Sequence, residues 1–289
     1  MLRSADTATL GARRRQTTLV RRLGSATLLT ATALAATLLT TSAANAADEP
    51  RQVRLAVDVP YPPFEYRTAD GELAGFEIDL GNELCQRANL DCEWIVQGWD
   101  GIIPGLLARK YDAILSSMRI TEARERQVRF SEPYAMSPKV WVARKGAELD
   151  PETPETLEGK TVGVQRGTTQ DTYITQRFDD VVEVRRYATA DDVALDMESQ
   201  RLDLAFINYP VAIDSLAIND PDSDFTQVGE RINSPESIFG RGNAIAVRPR
   251  DEALAERFNA ALDEVYADGT FERLMTQYFD YDLRPDSRL

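Results

Sequence analysis

The chain has 289 residues, with 33 Lys and Arg against 47 Asp and Glu, no His, two Cys and a net charge of −14. That balance disfavours nucleic acid and anionic membrane surfaces as partners, since both carry the protein's own sign. The missing His removes the commonest general base and the usual Ser/His and Cys/His nucleophile pairs.

Residues 1–46 read as a secretory signal peptide. Arg13, Arg14, Arg15, Arg21 and Arg22 form a basic leader, an uncharged Ala/Leu/Thr run follows from Leu23 to Thr40, and Ala44-Asn45-Ala46 supplies a small-residue processing site. A transmembrane anchor is the competing reading; the Thr and Ser content and the processing site favour export with cleavage, to a periplasm. No Cys stands at the cleavage region to carry a lipid anchor, and no second long apolar run follows. Residues 1–46 hold six Arg and one Asp, so without them the net charge falls from −14 to −19. The roughly 240 residues that remain exceed the usual compact domain, which predicts two lobes of about 100 residues each.

In chain order, Val53, Leu55, Val57 and Val59 alternate with Arg54, Ala56 and Asp58, predicting a strand that stops at Pro60-Tyr61-Pro62-Pro63. Asp70-Gly71 predicts a turn, and the four-residue spacing of Phe76, Leu80 and Leu84 predicts a helix ending near Cys85. A strand over 93–96, an amphipathic helix around Ile102, Ile103, Leu106 and Leu107, and a short buried strand at Ala113-Ile114-Leu115 come next. Strands alternate with helices, so the class is α/β with largely parallel sheets.

After Ser131-Glu132-Pro133-Tyr134, the strand over 139–144 leads into a second alternation. It comprises strands near 161–164, 181–187 and 204–208, with a helix over 191–200. Ile238-Phe239-Gly240-Arg241-Gly242 reads as a return crossing, followed by a strand at 244–247 and two helices. The expected division is lobe one at 47–138 and 243–289, and lobe two at 139–242. A double connection lets two lobes open and close while restraining other motions, and the interface between them is the expected ligand site.

Cys85 and Cys92 stand seven residues apart, and an oxidising compartment favours a local disulfide between them. A metal site is the weaker alternative, because no His and no further Cys is present to complete the coordination.

Several motifs together carry a resemblance: Tyr61-Pro62-Pro63-Phe64-Glu65, Gly75-Phe76-Glu77-Ile78-Asp79-Leu80, Ser116-Ser117-Met118, Ile120-Thr121-Glu122-Ala123-Arg124, Gly163-Val164 with Gly167-Thr168-Thr169, and Ala267-Asp268-Gly269-Thr270. The chain resembles the polar amino acid-binding proteins of ABC importers over essentially all of its mature length, and among them the lysine/arginine/ornithine and histidine binders. The resemblance implies a two-lobed periplasmic-binding-protein fold of type II with a two-strand hinge. It also implies a small amino-acid ligand, an inner-membrane ABC permease as partner, a monomer, no cofactor, no metal and no catalysis. In that subgroup a disulfide is similarly placed at Cys85 and Cys92.

The resemblance marks Arg124 as the anchor of a ligand α-carboxylate. A guanidinium matches a carboxylate with two parallel bonds and stays charged at any relevant pH. The alternative is an ordinary surface pair on the helix over 122–127. Ser116, Ser117 and Thr121 lie where hydroxyls and free N–H groups face the same anion, although Thr121 also reads as a plain N-cap. Gln165, Thr168 and Thr169 lie where a strand gives way to a helix across the cleft; a phosphate loop is excluded there because no Lys follows the glycine. Tyr61 and Trp99 are expected to face the ligand side chain, and Asp58 to pair with a ligand cation. Two departures bear on specificity. Asn208 stands where the family usually has an Asp for the ligand ammonium. Arg119 stands where similar binders have a small hydroxyl residue, and it either repels a cationic ligand, welcomes a second carboxylate, or turns away to solvent or to an acid such as Glu122. A periplasmic cyclohexadienyl (prephenate/arogenate) dehydratase on the same scaffold is the rival reading, with Glu65 or Asp58 as the general acid.

Overall fold

The computed structural model describes residues 50–151 and 153–288; the expected signal peptide, residues 1–46, lies outside the described residues. The chain begins with β1 (Arg51–Val57), whose Val53, Leu55, Ala56 and Val57 are all buried, so it runs through the middle of a sheet. A hairpin of β2 (Tyr66–Arg67) and β3 (Leu73–Ala74) leads to α1 (Phe76–Arg87), β4 (Leu90–Val96), α2 (Ile102–Leu107), β5 (Ala113–Ile114), the single turn α3 (Glu122–Glu125) and β6 (Arg129–Phe130). The chain then crosses to β7 (Lys139–Arg144), β8 (Thr161–Gln165), α4 (Thr169–Phe178), β9 (Glu183–Tyr187), α5 (Ala190–Glu198), β10 (Leu204–Asn208), α6 (Tyr209–Leu216), β11 (Phe225–Ile232) and α7 (Glu236–Phe239). It returns to β12 (Ala246–Val247) and closes with α8 (Glu252–Ala267) and α9 (Thr270–Tyr278).

Two five-stranded sheets result, in the orders β4-β1-β5-β12-β6 and β11-β7-β10-β8-β9. In each, the strands separated by helices are parallel: β1 with β4 and β5, and β8 with β9 and β10. The strands run mainly parallel and the sheets are mixed, because in each sheet one strand beside a crossing runs against the other four. β12 is antiparallel to β5 and β6, and β7 is antiparallel to β10 and β11. The segment that passes from β6 to β7 contains no helix that could serve as a parallel crossover.

Helices cover both faces of each sheet, giving apolar cores on either side. In the first lobe α1, α8 and α9 pack around Phe76, Leu80, Phe258 and Phe271, and α2 with Tyr111 and Met118 fills the opposite face. In the second, Trp141, Phe206, Tyr173 and Phe239 form a ring cluster with centroids 4.9 to 6.3 Å apart under α4 and α7. Cys85 on α1 and Cys92 on β4 form a disulfide with Cα atoms 6.1 Å apart, tying the helix to the edge strand.

The two crossings pair with each other. Tyr134 N–H donates to the Asn243 carbonyl at 2.8 Å and Asn243 N–H to the Ala135 carbonyl at 2.7 Å. Gly240 passes so close to Ile120 that a Cβ would sit 2.0 Å from its carbonyl oxygen, and its φ of 69° suits only glycine well. This contact locks the return crossing against the segment that carries Arg119 and Arg124.

Candidate ligand-binding crevice

A cavity lies between the sheets, lined from the first lobe by Asp58, Tyr61, Glu65, Trp99, Ser116, Ser117, Arg119 and Arg124, and from the second by Lys139, Gln165, Thr168, Thr169, Gln170 and Asn208. The free space between its lining residues, its opening to solvent included, is about 370 Å³. The lobes are closed on it. Gln165 Nε2 donates to Asp58 Oδ2 at 2.8 Å, Trp99 Nε1 to the Gly167 carbonyl at 3.2 Å, and an exposed Arg166–Asp100 ion pair at 3.0 Å bridges the rim.

The first-lobe side chains hang on the ends of β1 and β5. Asp58 follows β1 directly, and its N–H donates to Ser116 Oγ at 3.0 Å. Ser116 Oγ donates in turn to Glu65 Oε1 at 2.7 Å, which draws the loop after Pro63 against the sheet end. Ser117 is left-handed, with φ 44°, a conformation that costs a non-glycine residue about 1 to 2 kcal/mol. The buried Glu77 carboxylate offsets that cost, accepting from Ser117 N–H at 2.7 Å, from Ser117 Oγ at 2.8 Å and from Tyr134 OH at 2.5 Å. The kink carries Arg119 inward.

Arg124 is buried on α3. Its guanidinium donates to the carbonyls of Arg119 at 3.1 Å and Gly167 at 3.4 Å and lies over the Trp99 ring, 5.1 Å from the centroid. No carboxylate pairs with it among the described residues, and burial pulls its pKa down to about 10, leaving it charged at neutral pH. Arg119 is 3% exposed, so the alternatives of solvent or a Glu122 pair do not hold; Glu122 pairs with Arg126 instead. Its guanidinium meets the Ser137 carbonyl, Met136 Sδ and, at 3.3 Å, Asn233 Oδ1, while its Nε has no partner. Burial, opposed in part by Tyr61, pulls it down to about 10 as well.

Thr121 is the one expected site residue that does not line the cavity. Its hydroxyl accepts from Arg124 N–H at 3.4 Å as the cap of α3, so it orients the anchor's turn rather than facing a ligand.

From the second lobe, the Thr168 hydroxyl caps α4 by accepting from Asp171 N–H at 3.2 Å. This leaves the start of a ten-residue helix pointing into the crevice with Thr169 and Gln170. Asn208 ends β10 with its Oδ1 unpartnered, and Asp58 Oδ1 and Glu65 Oε2 are unpartnered too. Burial pushes the Asp58 carboxyl up to about 6, held back by the Gln165 bond. Burial and then the neighbouring Glu77 push Glu65 well above its usual range.

Three lining residues fall outside the expected site. Gln170 adjoins the expected Thr168 and Thr169. Glu65 is expected only as an acid in the enzyme reading, yet its place two residues after Pro63 already marks the same loop as Tyr61. Lys139, 1% exposed, opens a strand whose next residues are apolar on both faces, which is the signal that a Lys there is not solvated. Its Nζ donates to the Ser137 carbonyl at 2.7 Å, and burial, Arg119 and Arg124 together hold its pKa well below the ordinary lysine range.

The arrangement gathers buried basic groups, unpartnered acceptor oxygens and two aromatic rings around one cavity. Among curated proteins, an L-arginine-binding protein of Pseudomonas aeruginosa is 40% identical over 240 residues, covering 82% of this chain and 91% of that protein. A lysine/arginine/ornithine-binding periplasmic protein of Escherichia coli is 36% identical over 249 residues, covering 86% and 95%. Among solved structures, a Salmonella typhimurium periplasmic binding protein of high arginine specificity superposes with a TM-score of 0.72 at 33% identity, over 79% of this chain and 99% of that one. The sequence model of the bacterial extracellular solute-binding proteins, family 3, matches residues 53–281, and the chain belongs to that family.

Proposed function

We propose that this protein captures a polar amino acid, a basic one or an amino-acid derivative, in the interlobe crevice and delivers it to an inner-membrane ABC permease. The carrying observation is Arg124: a buried guanidinium whose side-chain partners are carbonyls, set beside the N-terminus of α4. A buried charge without an opposite charge is costly, and a ligand α-carboxylate supplies the missing partner through bonds worth about 1.5 to 3 kcal/mol each. The names of the related binders support the same reading.

The cycle is physical. Ligand lands on the first lobe, against Arg124 and the Ser116–Ser117 corner. Gln165, Thr169 and Asn208 then engage as the lobes close, so closure is favoured by bonds that the open form lacks. The permease reads the closed surface. Asp58 and Glu65 act here as acceptors and not as catalysts; incubation with prephenate or arogenate is expected to give no aromatic product, and product would favour the dehydratase reading.

Thermal-shift and calorimetric titration against the amino acids, their amides and their N-carboxyalkyl derivatives tests the proposal, because a ligand of the folded state raises the melting temperature. A hit is expected, with at least a ~100-fold loss of affinity in Arg124→Ala, the scale for truncating one partner of a buried charge pair. Ordinary affinity in that variant would remove Arg124 as the anchor.

A further inference from the structure

The crevice holds more positive charge than one carboxylate uses. Arg119, Arg124 and Lys139 all line it, all are buried, and none has a carboxylate partner among the described residues. Arg119 and Lys139 converge on a single acceptor, the Ser137 carbonyl. Of the five N–H donors on Arg119, the Nε–H is buried without a partner, and the Lys139 ammonium has three donors of which the Ser137 carbonyl takes one. The Ser137 carbonyl is the acceptor they share, and the other Arg119 partners, Met136 Sδ and Asn233 Oδ1, are neutral as well, so neither basic group has a counter-charge, which an arriving anion would supply. Arg124 is engaged elsewhere, with the Arg119 and Gly167 carbonyls and the Trp99 face.

We propose that Arg119 and Lys139 form a second anion-binding locus, so that the ligand carries another carboxylate besides the one held by Arg124. This rests on the amino-acid-binding reading above and narrows it. The unpartnered oxygens of Asp58 and Asn208 in the same cavity provide acceptors for an ammonium or guanidinium, so a ligand with two carboxylates and a nitrogen cation matches both the unpaired basic groups and these acceptors. Such a molecule has its second carboxylate either on the side chain, as in an acidic amino acid, or on an N-substituent of a basic one.

The test is calorimetry on the mature protein with three probes: L-arginine, L-glutamate and N2-(1-carboxyethyl)-L-arginine. One dicarboxylate is expected to bind the wild-type protein at least ~10-fold more tightly than L-arginine, the scale of one charge-assisted interaction, and which of the two wins identifies where the second carboxylate sits. Arg119→Ser is expected to weaken that probe ~10-fold or more relative to L-arginine, closing or reversing the wild-type ranking, and Arg119→Lys is expected to retain part of the preference. The wild-type ranking requires no variant, so a misfolded Arg119→Ser does not stop the test. L-arginine binding more tightly than both dicarboxylates, or a ranking unmoved in a folded Arg119→Ser, overturns the second locus while leaving an Arg124-dependent amino-acid binder intact. Failure of all three probes and of the wider amino-acid panel overturns both readings.

Discussion

The two lobes share one architecture and divide the site unequally. The first lobe brings Asp58, Glu65, Arg119 and Arg124, all charged types, packed around the ends of β1 and β5. The second brings Gln165, Thr168, Thr169, Gln170 and Asn208, neutral groups and the start of α4, with Lys139 at the crossing as its single charged contribution. On the proposed cycle, charges buried on a preformed surface select the ligand while the protein is open. Neutral donors added from the other side strengthen what is already held and cost little desolvation when they are not engaged. Selection and closure are therefore separable, and substitutions in the two lobes should fail differently.

The largest expected effect that belongs to one lobe alone is a pH dependence. The Asp58 carboxyl is raised to about 6 by burial from an ordinary 3.8. A raised acid favours the folded state while protonated, so its contribution is fully present below about 3.8 and is lost as pH rises through about 6. Over that window the unliganded protein should lose on the order of 3 kcal/mol from this group. Glu65 shifts in the same direction and extends the loss upward. The carboxylate of Asp268, lowered to about 2 by Arg87, acts the opposite way and at lower pH, where its stabilisation disappears as pH falls. Melting temperatures of the unliganded protein from pH 4 to 7.5 should fall across the window, and Asp58→Asn should flatten the fall. An equal slope in that variant would place the titration elsewhere and blur the distinction between the lobes.

Trp99 sharpens the comparison because it belongs to both lobes in function. Its ring lies under the Arg124 guanidinium, and its Nε1 donates across the cleft to Gly167. Trp99→Ala removes a cation–π contact of about 0.5 to 2 kcal/mol and a cross-lobe bond, and should weaken ligand ~10-fold. Trp99→Phe keeps the ring and should recover most of that. If the two variants weaken binding equally, the cross-lobe bond matters and the ring does not.

Much of this was legible in the sequence, and the misses have physical causes. The spacing of Phe76, Leu80 and Leu84, the alternation in β1 and the apolar run of β10 each report burial directly, so those elements stand where the pattern puts them. β11 went unread because Phe225–Ile232 alternates poorly and is broken by Gly229; it is an edge strand held by pairing to β7 rather than by a buried face of its own. The one reversed strand of each sheet was hidden for a related reason, since strand direction depends on where the crossings land and not on local composition. In the site, residue type and sequence neighbours were enough to single out Arg124, which lines the cavity. The orientation of Arg119 did not follow from type. It depends on the left-handed Ser117 and its Glu77 brace, forty residues away in the chain. Lys139 was passed over because Lys is usually solvated, although the fully buried β7 that follows it gave the contrary sign.

The smallest effect tests the closing lobe by itself. Gln165 makes one direct bond across the crevice, to Asp58, and holds a second on its own lobe with the Ala188 carbonyl at 3.1 Å. Gln165→Leu keeps the approximate volume and removes both. Below about pH 6, where Asp58 carries its proton, the bond to it is neutral and contributes about 0.5 to 1.5 kcal/mol, so affinity measured there should fall about 3- to 10-fold. Because the bond forms only when the lobes meet, the loss should lie chiefly in faster release, with association unchanged. Small-angle scattering should also show the unliganded variant more open than the wild-type protein. A loss confined to the association rate would mean that Gln165 meets the ligand while the cleft is still open, and the second lobe would then share in selection as well as in closure.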